Sequence, residues 1–274
     1  MNTLAARRTR NLGITIVAAL LILWLSDVMT TALRDVSRLS GWGLLAMVAF
    51  LAAYNVRKKL AFLPLGSSSS WLQLHVYVGL LTAVVFGIHI SWKMPSGLVE
   101  MILAALYLYV FASGLVGLFL TRSLPKRLTT RGDEILFERI PVYRKRIQAE
   151  VEAIVFSGLD DSESTAIAQF YADRLRPFFT QPRNLWQHLV QSNRARFGLL
   201  NEMRAYGRYL DNSEREMMSR IATCVERKDD LDYQFSLQAT LKYWLFVHVP
   251  LSYGLLVFAV VHLLLVSAFS GGAS

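Results

Sequence analysis

Residues 71–92 read WLQLHVYVGLLTAVVFGIHISW, and residues 243–268 read YWLFVHVPLSYGLLVFAVVHLLLVSA. As a helix, each run is long enough to cross a bilayer core of about 30 Å. Each carries two histidines fourteen positions apart, His75 with His89 and His248 with His262. Fourteen residues is close to four helical turns, so both imidazoles of a pair fall near one helix face, roughly 21 Å apart along the axis. Two such helices side by side offer one imidazole pair near each leaflet. A histidine at membrane depth is costly unless it has a partner, and its default reading is functional. Two axial imidazoles saturate a haem iron, which suits electron transfer rather than oxygen binding. The expected ligand sets are His75 with His248 and His89 with His262, holding two haem b groups.

Composition agrees with a membrane setting. The 274 residues are 54% hydrophobic with a mean hydropathy of +0.36, and the apolar residues are blocked into long runs. The net charge of +9 sits beside those runs, so it reads as membrane topology, not as a nucleic-acid surface. The single cysteine, Cys224, excludes an internal disulfide, a thiolate zinc site and a cysteine-ligated iron–sulfur cluster. No Cys-x-x-Cys-His is present, so any haem is held non-covalently.

Five spans are expected, at 12–33, 41–62, 71–92, 98–120 and 243–268, in an all-α membrane bundle. The first is read as an uncleaved span, because its apolar stretch is too long for a signal peptide. Arg7, Arg8, Arg10, Arg57, Lys58, Lys59, Arg122, Lys126, Arg127 and Arg131 flank one side. Only Arg34, Arg38 and Lys93 flank the other. The positive-inside rule then puts the N-terminus and 121–242 in the cytoplasm, the C-terminus outside, and the chain in a bacterial-type inner membrane. On this topology the third and fifth spans run parallel. Trp71, Trp92 and Trp244 read as interfacial anchors, and Gly66 with Ser67–Ser70 as a flexible link.

Around the histidines, Gly79, Thr82, Phe86 and Gly87 in one span and Ser252 and Ala259 in the other suit a flat macrocycle. Phe86 is placed to fill the space between two rings. Gly114 and Gly117 serve equally as macrocycle clearance or as plain helix contacts. Lys93 is a candidate cation for outer propionates, and Arg57, Lys58, Lys59 or Lys242 for inner ones. Pro250 is a candidate kink. Asp27, Glu100 and Lys93 are candidates to frame an outer quinone or acceptor site.

Domains are expected at 1–120 (four spans), 121–242 (a helical insert) and 243–274 (the fifth span and tail). The insert carries 20 Lys and Arg against 17 Asp and Glu, with recurring amphipathic stretches. Ser213 with Glu216 reads as a capping box. No Gly or Pro lies between it and Val249, so that helix is expected to run on into the membrane. His188 reads as a surface or packing residue and Cys224 as buried and inert. The insert is either a docking platform for a redox partner or a cap over the inner haem.

These features resemble the di-haem membrane domain of the ferric reductase and NADPH oxidase superfamily, and in principle cytochrome b. The likeness covers 71–120 and 243–268 and rests on His75, His89, His248 and His262. It implies a haem wire. The chain ends at Ser274 after its fifth span and has no Gly-x-Gly-x-x-Gly, so the pyridine-nucleotide machinery is not expected. Arg176-Pro177-Phe178-Phe179-Thr180 is only a faint likeness to a flavin-binding motif. The expected function is a b-type di-haem cytochrome, an oxidoreductase subunit in electron transport, with quinol or proteins such as periplasmic cytochromes as partners. The competing class is a non-redox transporter or assembly scaffold with structural histidines.

Overall fold

The computed structural model describes residues 4–32, 35–59, 67–129, 135–160 and 165–270. Arg34, Gly66 and Arg131, and the side chains of Arg7, Arg8, Arg57, Lys58 and Lys59, lie outside the described residues. Every regular element among the described residues is helical: α1 (Leu4–Thr31), α2 (Val36–Lys59), α3 (Ser68–His89), α4 (Leu98–Leu128), α5 (Ile140–Asp160), α6 (Thr165–Phe170), α7 (Arg176–Thr180), α8 (Leu185–Leu189), α9 (Arg194–Tyr206) and α10 (Asn212–Ser270). Five of these, α1 to α4 and α10, are long and apolar enough to cross a membrane. Their outward apolar side chains, such as Leu20, Trp24, Val257 and Leu264, form the kind of surface that water disfavours and lipid accepts. The chain divides into two compact units, residues 1–119 with 244–274, and residues 120–243.

In the first unit, local chemistry sets the helix ends earlier than hydropathy suggests. The Asp35 carboxylate accepts from the Arg38 amide at 3.0 Å, so α2 begins at Val36 and not at 41. Ser67 caps α3, its hydroxyl accepting from the Ser70 amide at 3.2 Å. The serine run is therefore a helix start, not a flexible link, because serine oxygens satisfy the orphan amides of a first turn. At its other end α3 stops at His89. Ser91 and Trp92 take left-handed backbones with φ of 52° and 55°, and the Trp92 amide donates to the Gly87 carbonyl at 2.9 Å. Trp92 thus folds back over the helix instead of extending it to residue 92.

α2 and α3 run antiparallel. Ser37 meets His89 at one end, and Phe50 and Tyr54 stack near Trp71 and His75 at the other. A core of Val48, Tyr107 and Leu255, with Phe86 and Phe111 against it, joins α2, α3, α4 and α10.

In the second unit, Ile140, Val151, Ile167, Leu175, Phe179, Ile221 and Val225 form a core with no exposed surface. The Arg-Pro-Phe-Phe-Thr stretch is α7, and its two phenylalanines belong to that core. His188 is buried, with its Nε2 3.6 Å from an Asp229 oxygen. Cys224 is buried, and burial pushes its thiol pKa up. The α10 cap falls two residues before the expected pair. Asp211 accepts from the Glu214 amide at 2.7 Å while Glu214 accepts from the Asp211 amide at 3.1 Å. That reciprocal bonding is a capping box, and Ser213 and Glu216 lie inside the helix it opens. As expected, α10 continues without a break through Val249, and it also continues past Pro250.

The fully buried Lys228 donates to Asp232 and, at 2.8 Å, to the Gln181 carbonyl. Its ammonium lies 4.1 Å from the centre of the Phe178 ring. Asp232 also accepts from the Arg183 amide at 2.9 Å. The pair therefore ties the 181–183 turn to α10. Burial lowers the lysine pKa and raises the aspartate pKa, so each group depends on its partner to stay charged. Lys228→Met leaves the buried carboxylate with only the Arg144 guanidinium, 3.9 Å away, and is expected to cost up to about 3–5 kcal/mol. Lys228→Met with Asp232→Leu is expected to recover much of that loss. Chemical denaturation of the purified chain in detergent measures both, and a double variant worse than the single one refutes the pairing.

Candidate functional site

Two antiparallel relationships place the four membrane histidines. As α4 descends from Tyr107 to Glu100, α3 rises from Thr82 to His89. The Tyr107 hydroxyl donates to the Thr82 hydroxyl at 3.0 Å, and Phe86 stacks on Tyr107 at 4.1 Å. Glu100 lines the same cavity as His89. As α4 descends from Gly117 to Glu100, α10 rises from Trp244 to His262. The Trp244 indole donates to the Ser113 carbonyl at 2.9 Å, Leu255 packs with Tyr107, and His262 shares a cavity with Glu100. Both α3 and α10 oppose α4, so they run parallel to each other.

Their register is equally defined. Thr82 is seven residues from both His75 and His89, and Leu255 is seven from both His248 and His262. Tyr107 bonds the first midpoint and shares a buried cluster with the second. Each histidine therefore lies roughly 10 Å of helix rise from the Tyr107 level, His75 and His248 on one side and His89 and His262 on the other.

The structure brings His89 and His262 together. Their ring centres are 6.4 Å apart with planes at 85°, and both line a cavity of about 540 Å³, within the range of small-molecule and cofactor sites. His89 Nδ1 is 3.0 Å from the Ser37 carbonyl oxygen. A carbonyl only accepts, so Nδ1 carries the proton and Nε2 keeps the lone pair, which is the tautomer a metal ligand needs. Two imidazoles on opposite faces of one metal, with bonds of about 2 Å and a ring radius of about 1.1 Å, place their centres roughly 6 Å apart. The observed pair has that separation.

At the other level each histidine has its own surroundings. His75 lies 5.3 Å from Tyr54, ring to ring. His248 stacks on Trp244 at 5.2 Å, with its Nδ1 3.2 Å from the Ser113 hydroxyl. A side-chain carbon at Gly114 would touch the His248 ring at 3.7 Å, an ordinary contact.

Of the expected cradle residues, Phe86 and Ala259 line the cavity, and nothing stands within 4 Å of where a Gly79 side chain would begin. Thr82 is engaged by Tyr107 and donates to the Gly79 carbonyl at 2.7 Å. Gly87 differs from expectation, and Gly117 takes the helix-contact alternative. The Trp92 indole covers Gly87, and the Trp244 indole covers Gly117, so a tryptophan fills the clearance that each leaves. Among the candidate cations, Lys93 lines the cavity together with Arg38. Lys242 is taken by Glu138, which it holds below the usual carboxylate range. Glu100 and Lys93 border the cavity, whereas Asp27 is not among its lining residues.

Sequence reasoning missed Gly41, Ser37, Ser113 and Tyr107. A side-chain carbon at Gly41 would meet the His89 ring at 2.9 Å, so the glycine lets the imidazole lie against α2. The Gly41-Trp42-Gly43 pattern was the available signal. A backbone carbonyl such as that of Ser37 leaves none. Among the described residues, no three His, Cys, Asp or Glu side chains gather to cage a metal ion. No known family, curated protein or solved structure matches the chain.

Gly41→Ala is expected to push His89 off the Ser37 carbonyl and to cost about 1–3 kcal/mol by overpacking. Gly43, with nothing within 4 Å, is the control: Gly43→Ala should be neutral or stabilising by up to about 1 kcal/mol through helix propensity. Thermal unfolding in detergent compares them, and equal behaviour of the two variants contradicts the assigned role of Gly41.

Proposed function

We propose that the chain is a b-type di-haem cytochrome that carries electrons across a membrane as a subunit of a redox complex. The observation that carries this reading is the His89–His262 pair: a 6.4 Å ring separation at a cavity of about 540 Å³, with a proton-bearing Nδ1 anchored on a carbonyl. Each imidazole pair would hold one haem, and an iron held by two imidazoles is suited to electron transfer. Haem iron supplies one-electron chemistry when bound. His89 and His262 are its outer ligands and His75 and His248 its inner ones. Phe86, Leu103, Ala259 and Leu263 exclude water from the outer level. Arg38 and Lys93 offer cations to the propionates there.

The flanking charges support an inner-membrane location with the N-terminus and 121–242 cytoplasmic and the C-terminus outside. Donor and acceptor are quinone or redox proteins such as periplasmic cytochromes. The exposed apolar helices make lipid the remaining partner.

The test is a reduced-minus-oxidised spectrum of the chain purified from membranes, with haem quantified per polypeptide. Two b-type haems are expected, and a colourless folded protein ends the proposal. His89→Ala should remove one haem and spare the other. Loss of both without unfolding would contradict separate pairs.

A further inference from the structure

Within the second unit, α9 and the start of α10 fold back on each other as a hairpin. At the open end Arg196 pairs with Glu226 at 3.2 Å and with Asp230 at 3.1 Å. At the closed end the Arg215 guanidinium donates to the Gly207 carbonyl at 3.0 Å. Between these ends Leu200 and Met203 of α9 and Met218 of α10 are buried in the core of the unit. Along this seam lies a groove of about 590 Å³, within the size range of small-molecule sites.

Each wall of the groove is one helix face. Leu200, Met203, Arg204, Gly207 and Arg208 follow three-and-four spacing along α9 and the Gly207–Tyr209 turn. Arg215, Met218, Ser219 and Ala222 do the same along α10. The floor is apolar and the closed end is basic. Arg204 and Arg208 flank Gly207 in sequence, and Arg215 reaches the carbonyl of that same residue, so three guanidiniums gather at the turn.

The protein leaves their charge unanswered. Arg204 donates to the Asn201 side-chain oxygen at 3.1 Å and Arg215 to a backbone carbonyl, both neutral acceptors. Among the described residues none of the three forms an ion pair with a carboxylate. Glu226, the one carboxylate among the lining residues, is held by Arg196 and lies about 16 Å of helix rise from Arg215. Asp211 and Glu214, beside the turn, bond each other's backbone amides, and Glu202 is held by Arg174.

Three permanent cations in a concave site repel one another and concentrate a positive potential. An oxyanion relieves that repulsion, and planar guanidinium forks match the oxygens of a phosphate. A methionine floor adapts to an apolar body of varied shape. Ser219 adds a hydroxyl that can donate or accept.

We propose that the α9–α10 groove binds a phosphorylated small molecule, its phosphate oxygens on Arg204, Arg208 and Arg215 and its organic part over Met203 and Met218. The site lies wholly within residues 120–243 and is independent of the haem reading.

Isothermal titration calorimetry of the full chain in detergent, at fixed ionic strength, tests it with inorganic pyrophosphate and ADP as probes. One saturable site per chain is expected for both. Arg204→Gln and Arg208→Gln alter exposed side chains, so the fold should survive, which an unchanged thermal midpoint checks. Each should weaken both probes by about tenfold or more, the effect of losing a charge-assisted hydrogen bond. Arg227→Gln removes a cation already paired with Glu150 at 3.0 Å and should leave binding unchanged. No saturable binding, or equal affinity in the original chain and in Arg208→Gln, overturns the site. Pyrophosphate bound with ADP excluded overturns the organic ligand.

Discussion

Tyr107 fixes the register on which the membrane unit depends. It stands on a helix that opposes both histidine-bearing helices, it bonds Thr82, midway between one pair, through its hydroxyl, and it shares a buried cluster with Leu255, midway between the other. A slip of α3 or α10 by one turn would move two imidazoles by about 5 Å relative to their counterparts. An unsatisfied hydroxyl in an apolar setting is costly, so the Tyr107–Thr82 bond penalises a slip of α3 in a way that leucine packing alone does not. The stack of Phe86, Tyr107 and Phe111 adds flat surfaces that tolerate little displacement.

Small residues act in two ways around the histidines. Near His89 a glycine on a neighbouring helix, Gly41, admits the imidazole itself. At Gly87 and Gly117 the vacated space goes to tryptophan rings, and in each case backbone hydrogen bonding accompanies the fit: Trp92 donates its amide to Gly87, and Trp244 donates its indole N–H to Ser113. Gly41, Gly87 and Gly117 thus each admit a large ring, whereas nothing stands within 4 Å of where a Gly79 side chain would begin. Deciding between a ring from the same chain and a cofactor needs coordinates.

The all-helical character, the long apolar helices and the fourteen-residue histidine spacing were legible because they depend on periodicity and hydropathy, which are local. Helix starts were less legible. The Ser67–Ser70 run has the composition of a linker, and only the bond from the Ser70 amide to the Ser67 hydroxyl makes it a cap. The α10 cap was misplaced because Asp211/Glu214 and Ser213/Glu216 both fit a capping pattern, and reciprocal bonding chooses between them. Lys242 looked free for an anion at the inner level until Glu138, 104 positions away, proved to hold it. Such long-range partners have no footprint in a window of sequence.

The two histidine levels are chemically unequal. His89 faces a carbonyl, which accepts and never donates, so its tautomer is fixed before any ligand arrives. His248 faces the Ser113 hydroxyl, which can take either role, and its ring is stacked on Trp244. Ser252 donates to the His248 carbonyl at 2.7 Å, one turn on from it. Pro250, between them, has no amide to give the carbonyl four residues earlier. The helix around His248 thus lacks the backbone bond to the Phe246 carbonyl, while the His248 carbonyl gains a side-chain donor. On the cytochrome reading, one iron would have a ligand oriented by a backbone carbonyl and the other a ligand oriented by a hydroxyl. The surroundings of the two levels would then set two different potentials from the same four histidines, which is what a directional electron path needs.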